Sequence, residues 1–590
     1  MSAEASTHVR AWTAALTRAL NGADAGSVGA LFERDGFWRD ILAFTWTILT
    51  FEGREAIEAM VLANSERLRP IRFELDGAAS EDGEEAFLRV ETRIGRGRGH
   101  VRLQRGLART LLTTLEELAG HEERLGDARP LGIVHEARRG RRTWLEERQT
   151  EEAELGRARQ PYCVIVGGGQ GGIALGARLK QLGVPTLIVE ANERPGDTWR
   201  KRYKSLVLHD PVWYDHLPYL PFPAHWPVFA PKDQIADWLE AYVKVMGLNY
   251  WGGATCRRAE FEDSGKTWRL LIERGDKTVE LRPRHFVLAT GSYGKPRRPE
   301  IEGAAAFGGP ILHSADYRSG KDFAGKACLV LGSNSSAHDI CADLWEHDAI
   351  VTMIQRSPTT VVRSETLMEF GFKDLYSEEA VAKGMTTDKA DLLFASIPFR
   401  LMPERQRELY RRIQEIDAPF YAALAKTGFL LDWGEDESGL MMKALRTGSG
   451  YYIDVGCSRL IIEGEVKVRP GVGIASLSPA RAHLSDGSSL PADALILATG
   501  YDSMTTRLAE MASAEIVDRV GPNWGYGSGF RNDPGPWLGE LRNMWKPLPQ
   551  EALWCHGGNL HLSRFYSKFV ALQIKARMEG FETPVYAPTC

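Results

Sequence analysis

Two stretches of the chain share one layout, in which a short apolar run leads into a glycine-rich turn and then into a helical pattern. The first is YCVIVGGGQGGIALGARLKQLG, where Gly167, Gly169 and Gly172 fit the pattern GxGxxG. In such a unit the first glycine makes the tight turn, the second lets a pyrophosphate approach the backbone, and the third lets helix and strand pack closely. Glu190 ends the next apolar run, where a carboxylate would bind ribose hydroxyls. The sequence therefore predicts a dinucleotide-binding unit from about residue 161.

A second turn of the same kind follows the apolar run CLVL and reads GxNxxA. Gly332 begins this turn, Asn334 takes the place of the second glycine, and Ser335 follows it. Asparagine tolerates the left-handed backbone conformation, so we expect Asn334 to adopt it in place of glycine. After the next apolar run, Arg356 stands where an acid would bind a ribose hydroxyl. Because arginine pairs with a 2′-phosphate and a carboxylate repels it, this turn predicts NADPH rather than NADH.

Two further apolar runs each end in the tripeptide Ala-Thr-Gly, at residues 289–291 and 498–500. The tripeptides lie on either side of the second glycine turn, at points where the chain would cross between two sheets. Continuous apolar runs separated by helices indicate parallel sheets that are covered on both faces. The sequence therefore predicts an α/β fold with two Rossmann-like dinucleotide-binding domains, the second inserted in the first. We include Thr290 and Gly500 among the cofactor-binding residues.

The segments outside these units predict the remaining boundaries. The first 125 residues combine helical and β-rich patterns, which is typical of an α+β domain, and we expect the string AGSVGALFERDG to be helical. The next stretch is dense in charge and poor in apolar residues, which is typical of a linker. The expected order is an α+β domain (1–125), a charged linker (126–160), the first part of the first nucleotide-binding domain (161–325), the second such domain (326–484) with a helical insertion (about 363–445), and the return segment of the first (485–590).

Composition excludes several classes of protein. A net charge of -5 over 590 residues gives no reason to expect nucleic acid or an anionic membrane as a partner. No apolar stretch reaches the roughly 18 residues of a membrane span, and no secretory signal is visible. The seven cysteines are an odd number without a CxxC pair, which favours reduced thiols, a cytoplasmic location and no metal site. The same spacing argues against a dithiol flavin reductase.

A string between the two glycine turns carries a family resemblance. Phe307, Gly309, His313 and Tyr317 match the pattern FxGxxxHxxxY in full. Residues from about 161 to 575 resemble the flavin-containing monooxygenases, the single-component class that includes the Baeyer–Villiger enzymes. Typical Baeyer–Villiger members carry Trp at the last position of the pattern, so Tyr317 favours the flavin-containing monooxygenase branch. In that family the string couples the two nucleotide domains.

The resemblance also implies candidate site residues. Trp199, in GDTWR, resembles a family segment that lies by the flavin, and the stretch that follows is similar to the plant indole-pyruvate monooxygenases. His209 stands where many members have Asn close to flavin and nicotinamide, and both packing and active-site contact are open for it. Asn559 follows two glycines in the return segment, where a helix N-terminus would favour the pyrimidine end of the flavin. Arg446 precedes GYY as a catalytic arginine does in Baeyer–Villiger enzymes, although a solvent-facing arginine is an equal alternative.

The resemblance implies FAD and NADPH as cofactors. NADPH would reduce the flavin, oxygen would give a C4a-(hydro)peroxyflavin, and one oxygen atom would pass to a small organic substrate. The expected reaction is N- or S-oxygenation or oxidative decarboxylation of a 2-oxo acid. The alternatives are Baeyer–Villiger oxidation of a ketone and, from another class, an uncoupled NADPH oxidase or a flavin-binding interaction protein.

The N-terminal segment is similar to the NTF2/SnoaL-like cone fold, with LFERDGFWRDILAFTW as the best-fitting string. Domains of that kind bind ligands, catalyse reactions or dimerise. Asp40 is a candidate acid–base residue there, but a structural role beside Trp38 is favoured because nothing else resembles a catalytic set. A homodimer formed through this segment is a further expectation.

Overall fold

The computed structural model describes residues 2–132, 135–291, 294–531, 533 and 539–584, with side chains from residue 8 onward, so Cys590 lies outside the described residues. The described chain forms one six-stranded sheet, two five-stranded parallel sheets and four small sheets. Among these residues, no helix combines the length and the apolar character that crossing a membrane requires.

The N-terminal unit is a six-stranded sheet with three helices. Its elements are α1 (Ser2–Asn21), α2 (Ala25–Ala30), β1 (Phe32–Ile41), β2 (Ile48–Glu52), α3 (Arg54–Leu68), β3 (Arg72–Leu75), β4 (Glu85–Thr92), β5 (Gly95–Gln104) and β6 (Leu107–Leu118). The strand order is β2-β1-β6-β5-β4-β3, and only the β1–β6 pair is parallel. Aromatic rings pack in the interior of this unit: Trp38 stacks on Phe32 and makes an edge-to-face contact with Phe44.

The expectation of a helix through AGSVGALFERDG is wrong in its second half. Helix α2 ends at Ala30, and Phe32 already begins β1. Strand β1 gains hydrogen-bonded neighbours on both sides, β2 and β6, and its register shifts between Phe32 and Phe37. Pairing with distant strands therefore overrides the local pattern in this segment.

The first parallel unit follows a linker helix, α4 (Trp144–Glu154). Its elements are β7 (Cys163–Val166), α5 (Gln170–Gln181), β8 (Thr186–Val189), α6 (Asp197–Arg200), α7 (Val212–Asp215), α8 (Lys232–Val245), β9 (Tyr250–Trp251), β10 (Ala254–Glu262), β11 (Thr267–Arg274), β12 (Lys277–Leu281) and β13 (His285–Leu288). Strands β10 to β12 form a small antiparallel sheet.

The second parallel unit comes next in the chain. It contains β14 (Lys295–Pro296), β15 (Ile311–His313), β16 (Ala327–Leu331), α9 (Ser335–Trp345), β17 (Ile350–Gln355), β18 (Thr360–Arg363), α10 (Ser364–Leu367), α11 (Glu378–Ala382), α12 (Thr387–Ala395), α13 (Met402–Ile416), α14 (Ala418–Lys426), α15 (Gly439–Thr447), β19 (Tyr451–Asp454), α16 (Cys457–Glu463), β20 (Lys467–Pro470), β21 (Ile474–Ser478), β22 (Arg481–Leu484), β23 (Ser489–Pro491) and β24 (Ala494–Leu497). Helices α10 to α15 lie between β18 and β19, which pair with each other.

The chain then returns through β25 (Tyr501–Asp502), α17 (Met504–Leu508), α18 (Ala514–Val520), β26 (Leu553–Cys555) and α19 (Leu560–Met578). The sheet orders are β26-β13-β7-β8-β9 in the first unit and β15-β24-β16-β17-β20 in the second. All strands of the second sheet therefore lie, in the sequence, between β13 and β26 of the first. The two crossings run side by side, because β14 pairs antiparallel with β25.

A buried ion pair joins the N-terminal unit to the rest of the chain. Arg39 on β1 donates from Nε and Nη2 to the two carboxylate oxygens of Glu540, at 2.6 Å each. Its Nη1 donates to the carbonyl oxygen of Ala395 at 2.6 Å, and Nη2 also donates to the hydroxyl of Tyr566 at 3.1 Å. The Arg39 and Glu540 side chains are only 1% and 2% exposed. Removing one partner would leave the other charge buried and unpaired.

We therefore expect Arg39→Met to lower the free energy of unfolding by about 3–5 kcal/mol, because it leaves Glu540 uncompensated. The double variant R39M/E540M should recover most of this loss, since it removes both charges together. Guanidinium unfolding measures the effect. The control is Arg96→Met, which breaks the exposed pair with Glu117 and should cost less than about 1 kcal/mol. Equal costs for R39M and R96M would contradict a buried ion pair.

Candidate functional site

The first glycine turn is shaped by close backbone contacts. A Cβ on Gly167, whose φ is +113°, would lie 2.2 Å from the carbonyl oxygen of Ala289, and one on Gly172 would lie 1.9 Å from the carbonyl oxygen of Gly167. A Cβ on Gly169 would meet nothing within 4 Å. Backbone packing therefore requires glycine at 167 and 172. Gly169 instead leaves open space at the N-terminus of α5, and helix N-termini are places where a phosphate can be stabilised.

Glu190 lies at the end of β8, against this turn. One carboxylate oxygen accepts a hydrogen bond from the backbone N–H of Gly168 at 2.7 Å. The other accepts from the backbone and side-chain nitrogens of Asn192, at 2.8 and 2.7 Å. The carboxylate is therefore fixed beside the turn.

The second glycine turn repeats the first with one difference in side chain. Gly332, at φ +133°, would place a Cβ 2.4 Å from the carbonyl oxygen of Ala498. Asn334 adopts φ −93° and ψ −171°, which is extended backbone, so the expected left-handed conformation is wrong. Gly169, at φ −77° and ψ −167°, is extended too. The second position of the turn therefore does not require a positive φ.

Other predicted residues of the second turn lie nearby. Ser335 begins α9 and donates from its hydroxyl to the carbonyl oxygen of Tyr451 at 3.2 Å. Arg356 follows β17 directly and is exposed. It therefore has the freedom to reach a ligand at the carboxyl end of the second sheet.

The FxGxxxHxxxY string ties the crossing strands to the second unit. His313 accepts a hydrogen bond at Nδ1 from the backbone N–H of Ala315 (3.1 Å), so Nε2 carries the proton and donates to the carbonyl oxygen of Gly500 at 3.1 Å. Tyr317 is fully buried, and its hydroxyl donates to Asp343 on α9 at 2.5 Å. His313 thus has a structural role at the crossing.

Thr290 and Trp199 offer buried polar atoms to this region. Within the described part of the chain, neither the hydroxyl of Thr290 nor the indole nitrogen of Trp199 has a hydrogen-bond partner. Thr290 follows β13, and Trp199 lies on α6 of the same unit. Buried groups of this kind are normally satisfied, so each is available to a bound group.

His209 bridges the two parallel units. Its Nε2 lies 3.5 Å from a carboxylate oxygen of Asp339 on α9, and the hydroxyl of Tyr203 donates to the other oxygen at 2.7 Å. Burial opposes the charged form, but hydrogen bonding and attraction to Asp339 raise the pKa of His209 above its ordinary value. The loop that follows α6 is therefore linked to α9 by a titratable contact.

Asn559 caps the return helix α19. Its side-chain oxygen accepts from the backbone N–H of Leu562 at 2.9 Å, and its amide nitrogen donates to the hydroxyl of Tyr214 at 3.3 Å. Gly557 and Gly558 before it have φ values of +155° and +118°. The two glycines adopt a backbone that other residues rarely allow, and residues 557–559 are hereafter called the return loop.

Arg446 is buried, on α15, rather than exposed to solvent. It binds both carboxylate oxygens of Asp436, at 2.8 and 2.6 Å, and donates to the hydroxyl of Tyr526 at 3.1 Å. Its guanidinium lies 4.2 Å from the ring centre of Phe530. Asp436 therefore neutralises most of the charge that Arg446 would offer to an anion.

Sequence reasoning missed a buried charged cluster beside Asn559. Arg564 on α19 donates to both carboxylate oxygens of Asp391, at 2.9 and 2.8 Å. His561 lies 3.3 Å from the same carboxylate and stacks on Tyr214 at 4.4 Å. Burial opposes ionisation of Asp391, but Arg564 and His561 hold its pKa well below the usual range. Asp391 and Arg564 are far apart in the sequence and match no motif, so no local signal pairs them.

Six cysteines fall among the described residues, and all six are buried and free. In the same ranges no cluster of three or more His, Cys, Asp or Glu side chains has the arrangement of a metal site. Asp40 is fully buried and accepts hydrogen bonds from Phe44, Thr45 and Thr113, which is a structural arrangement.

A family model described as pyridine nucleotide-disulphide oxidoreductase matches residues 270–381. The chain is 32% identical over 345 residues to an indole-3-pyruvate monooxygenase of Oryza sativa subsp. japonica, YUCCA1, a match that covers 58% of this chain and 77% of that protein. It is 31% identical over 348 residues to the probable indole-3-pyruvate monooxygenase YUCCA10 of Arabidopsis thaliana, covering 58% of this chain and 82% of that protein.

An open crystal structure of cyclohexanone monooxygenase matches 71% of this chain and 88% of its own with a TM-score of 0.52 at 17% identity, which is a likeness of fold. The mixed α/β fold thus has Rossmann-like flavoprotein monooxygenases as structural neighbours. With two glycine turns, the FxGxxxHxxxY string and these relatives, the chain belongs to the flavin-containing monooxygenase family, flavoprotein oxidoreductases that use FAD and NADP.

Proposed function

We propose that this chain is an NADPH-dependent FAD monooxygenase that transfers one oxygen atom from molecular oxygen to a small organic substrate. The preferred reactions are N- or S-oxygenation and oxidative decarboxylation of a 2-oxo acid. The observation that carries the proposal is the pair of glycine turns on two parallel sheets in a chain 32% identical to an indole-3-pyruvate monooxygenase. Tyr317 at the end of the family string agrees with this branch.

FAD fits the first parallel unit. We assign its pyrophosphate to the turn of Gly167, Gly169 and Gly172 and its ribose to Glu190. The open space at Gly169 and the unpartnered polar atoms of Trp199 and Thr290 support the assignment. Bound FAD would accept a hydride from NADPH and activate oxygen. The chain's own task is to hold the reactants in line, exclude water and satisfy the charges that form.

The glycines of this turn give a sharp test. We expect Gly169→Ala to keep the melting temperature of the wild type, because the new methyl group meets no protein atom within 4 Å. It should lower the affinity for FAD by roughly tenfold or more, since the methyl group occupies the space of the pyrophosphate. Fluorescence titration of apoprotein with FAD measures this.

Gly172→Ala is the matched comparison. Its methyl group would lie 1.9 Å from a backbone oxygen, so the melting temperature of this variant should fall below that of the wild type. A G169A protein that binds FAD as tightly as the wild type would overturn the assignment.

NADPH fits the second parallel unit. We assign its pyrophosphate to the turn of Gly332, Asn334 and Ser335 and its 2′-phosphate to Arg356, and we include Gly500 among the residues that bind it. We expect Arg356→Ala to raise KM for NADPH roughly ten- to a hundredfold, the equivalent of about 1.5–3 kcal/mol for a charge-assisted hydrogen bond. KM for NADH should not change, because NADH lacks the 2′-phosphate.

Steady-state kinetics with both nucleotides measures the preference. Arg459→Ala is the control, since Arg459 is an exposed arginine on α16 of the same unit. If R356A and R459A leave the NADPH preference equally intact, Arg356 does not bind the phosphate.

His209 is our candidate for a titratable contact between the two parallel units. The pKa of His209 is raised in the folded protein. The ion pair with Asp339 therefore stabilises the fold fully below the ordinary histidine pKa of about 6.5, and this stabilisation is lost as pH rises through the higher pKa of the folded state. We expect the melting temperature of the wild type to fall across this window. His209→Asn should flatten that pH dependence.

Thermal scans between about pH 6 and 9 measure the effect. The control is His483→Asn, which changes a histidine on β22 instead. An H209N profile that parallels the wild type would contradict the ion pair.

Asn559 and Arg446 complete the proposed site. We propose that Asn559 holds the return loop against the flavin through its cap on α19. Arg446 is the candidate cation for the alternative reading, Baeyer–Villiger oxidation of a ketone. Because Asp436 already binds both ends of that guanidinium, an anion would have to compete with a carboxylate. We therefore favour the first reading.

Substrate screening separates the readings. The purified holoenzyme is given NADPH, oxygen and one of three probes: indole-3-pyruvate, a dialkyl sulfide or a cyclic ketone. Product from the first two supports our proposal, and lactone from the ketone supports the Baeyer–Villiger alternative. Hydrogen peroxide equal to the NADPH consumed, with every probe, would mean an uncoupled NADPH oxidase.

We also propose the domain division 1–125, 126–160, 161–325, 326–484 and 485–590, with an NTF2-like N-terminal domain. The sheet pairing moves two of these boundaries, because β15 and β24 pair within the second sheet and so belong to the second nucleotide-binding domain. The arrangement of β1 to β6 with α1 to α3 supports this likeness. Lys568 on α19 pairs with Glu116 on β6, and Arg102 on β5 bonds Ser396, so this face of the N-terminal sheet contacts the chain's own later elements. A homodimer would need another surface, and gel filtration of the whole protein tests for one.

A further inference from the structure

Arg39 connects three separate elements of the later chain to the N-terminal sheet. Its guanidinium binds Glu540 in the connection between α18 and β26, Ala395 at the end of α12, and Tyr566 on α19. It also lies 4.8 Å from the ring centre of Phe399. One side chain thus fixes the relative positions of the helical insertion, the return helix and the segment before β26.

A short path leads from this contact to the return loop. The ring of Tyr566, whose hydroxyl accepts from Arg39, stacks on Trp545 at 3.8 Å and 5°. The indole nitrogen of Trp545 then donates to the carbonyl oxygen of Gly557 at 3.2 Å. Three contacts therefore separate the N-terminal sheet from the loop that we assign to the flavin.

Several described residues of the α18–β26 connection have a disfavoured backbone conformation. Trp524, Asn543 and Trp545 have φ values of +70°, +52° and +61°, a region that non-glycine residues rarely adopt. Such residues persist only where their surroundings fix them, and they collect at functional sites. Here the amide of Asn543 donates to two carbonyl oxygens at the end of α18 and just beyond it, the indole of Trp524 donates to Ala444, and Arg39 binds Glu540.

We propose that Arg39 is a positioning residue for the return loop, so that the N-terminal unit forms part of the wall of the oxygenation site. This inference rests on the proposed function. In the coupled reaction, substrate, O2, NADPH and a proton give oxygenated substrate, water and NADP⁺. With the loop displaced, O2, NADPH and a proton give hydrogen peroxide and NADP⁺, and the substrate is left unchanged. Arg39 therefore favours the first outcome over the second.

Two variants test the proposal without leaving either Arg39 or Glu540 buried and unpaired. R39M/E540M removes both charges of the ion pair, and Tyr566→Phe removes only the hydroxyl while keeping the stacked ring. Arg39→Lys keeps the charge and loses the two-pronged geometry, so it should rescue in part. Tyr421→Phe is the control, because its hydroxyl bonds a carbonyl oxygen in the second parallel unit.

The first readout is hydrogen–deuterium exchange of the holoenzyme. We expect peptides that cover the return loop to exchange faster in R39M/E540M and Y566F than in the wild type and Y421F. The second readout is hydrogen peroxide formed per NADPH with a substrate that the wild type oxygenates. This ratio should rise severalfold in the double variant, while the rate of flavin reduction by NADPH stays at the wild-type value.

Folded variants with wild-type exchange in the return loop and a wild-type peroxide ratio would overturn the proposal, and Arg39 would then be purely structural. The two readouts also separate this inference from the proposed function. If the wild type oxygenates no substrate, the proposed function fails, yet the exchange measurement still decides whether Arg39 positions the loop.

Discussion

Close approach of backbone to backbone at the ends of the parallel strands is the constraint on which the two proposed nucleotide sites depend. In both units the first glycine of the turn faces the carbonyl oxygen of an alanine that begins a crossing: Gly167 faces Ala289, and Gly332 faces Ala498. A side chain at either glycine would collide with that oxygen. The recurrence of Ala-Thr-Gly after β13 and β24 thus has a packing reason, since each tripeptide lies beside a glycine turn.

Buried charged side chains link the units of the chain at three places. Asp339 accepts from His209 and Tyr203, Asp391 from Arg564, and Glu540 from Arg39. In each case the carboxylate and its donor belong to elements far apart in the chain. A buried charge is costly unless it is paired in good geometry, so these contacts specify one relative arrangement of the elements. These buried pairs thereby hold the loops that they contact in one position.

The sequence allowed much of the fold to be predicted because its strongest signals are local. The apolar runs at β7, β8, β13, β16, β17 and β24 are strands, and both glycine turns stand between a strand and a helix. Where an outcome depends on distant partners, local patterns were insufficient. Phe32 belongs to β1 because β6 pairs with it, and Asn334 is extended as Gly169 is at the equivalent position of the first turn.

Candidate site residues also fall into two groups, those that a local pattern predicts and those that depend on distant partners. The glycines, Glu190 and Arg356 are recognisable because a motif specifies their spacing, and Asn559 because glycines precede it. No sequence pattern predicts that Asp436 binds Arg446, or that Arg39 binds Glu540, which is distant from it in the sequence. Motifs therefore predict where a cofactor would be held, whereas the side chains around that site are brought together only by folding.

The most direct test of the account is isotopic. The holoenzyme is mixed with NADPH, ¹⁸O₂ and either indole-3-pyruvate or a dialkyl sulfide, and mass spectrometry measures the label in the product. The account predicts one ¹⁸O atom in each molecule of carboxylic acid or sulfoxide, with the product matching the NADPH consumed. Unlabelled product, or NADPH oxidation that yields only labelled hydrogen peroxide, would contradict it.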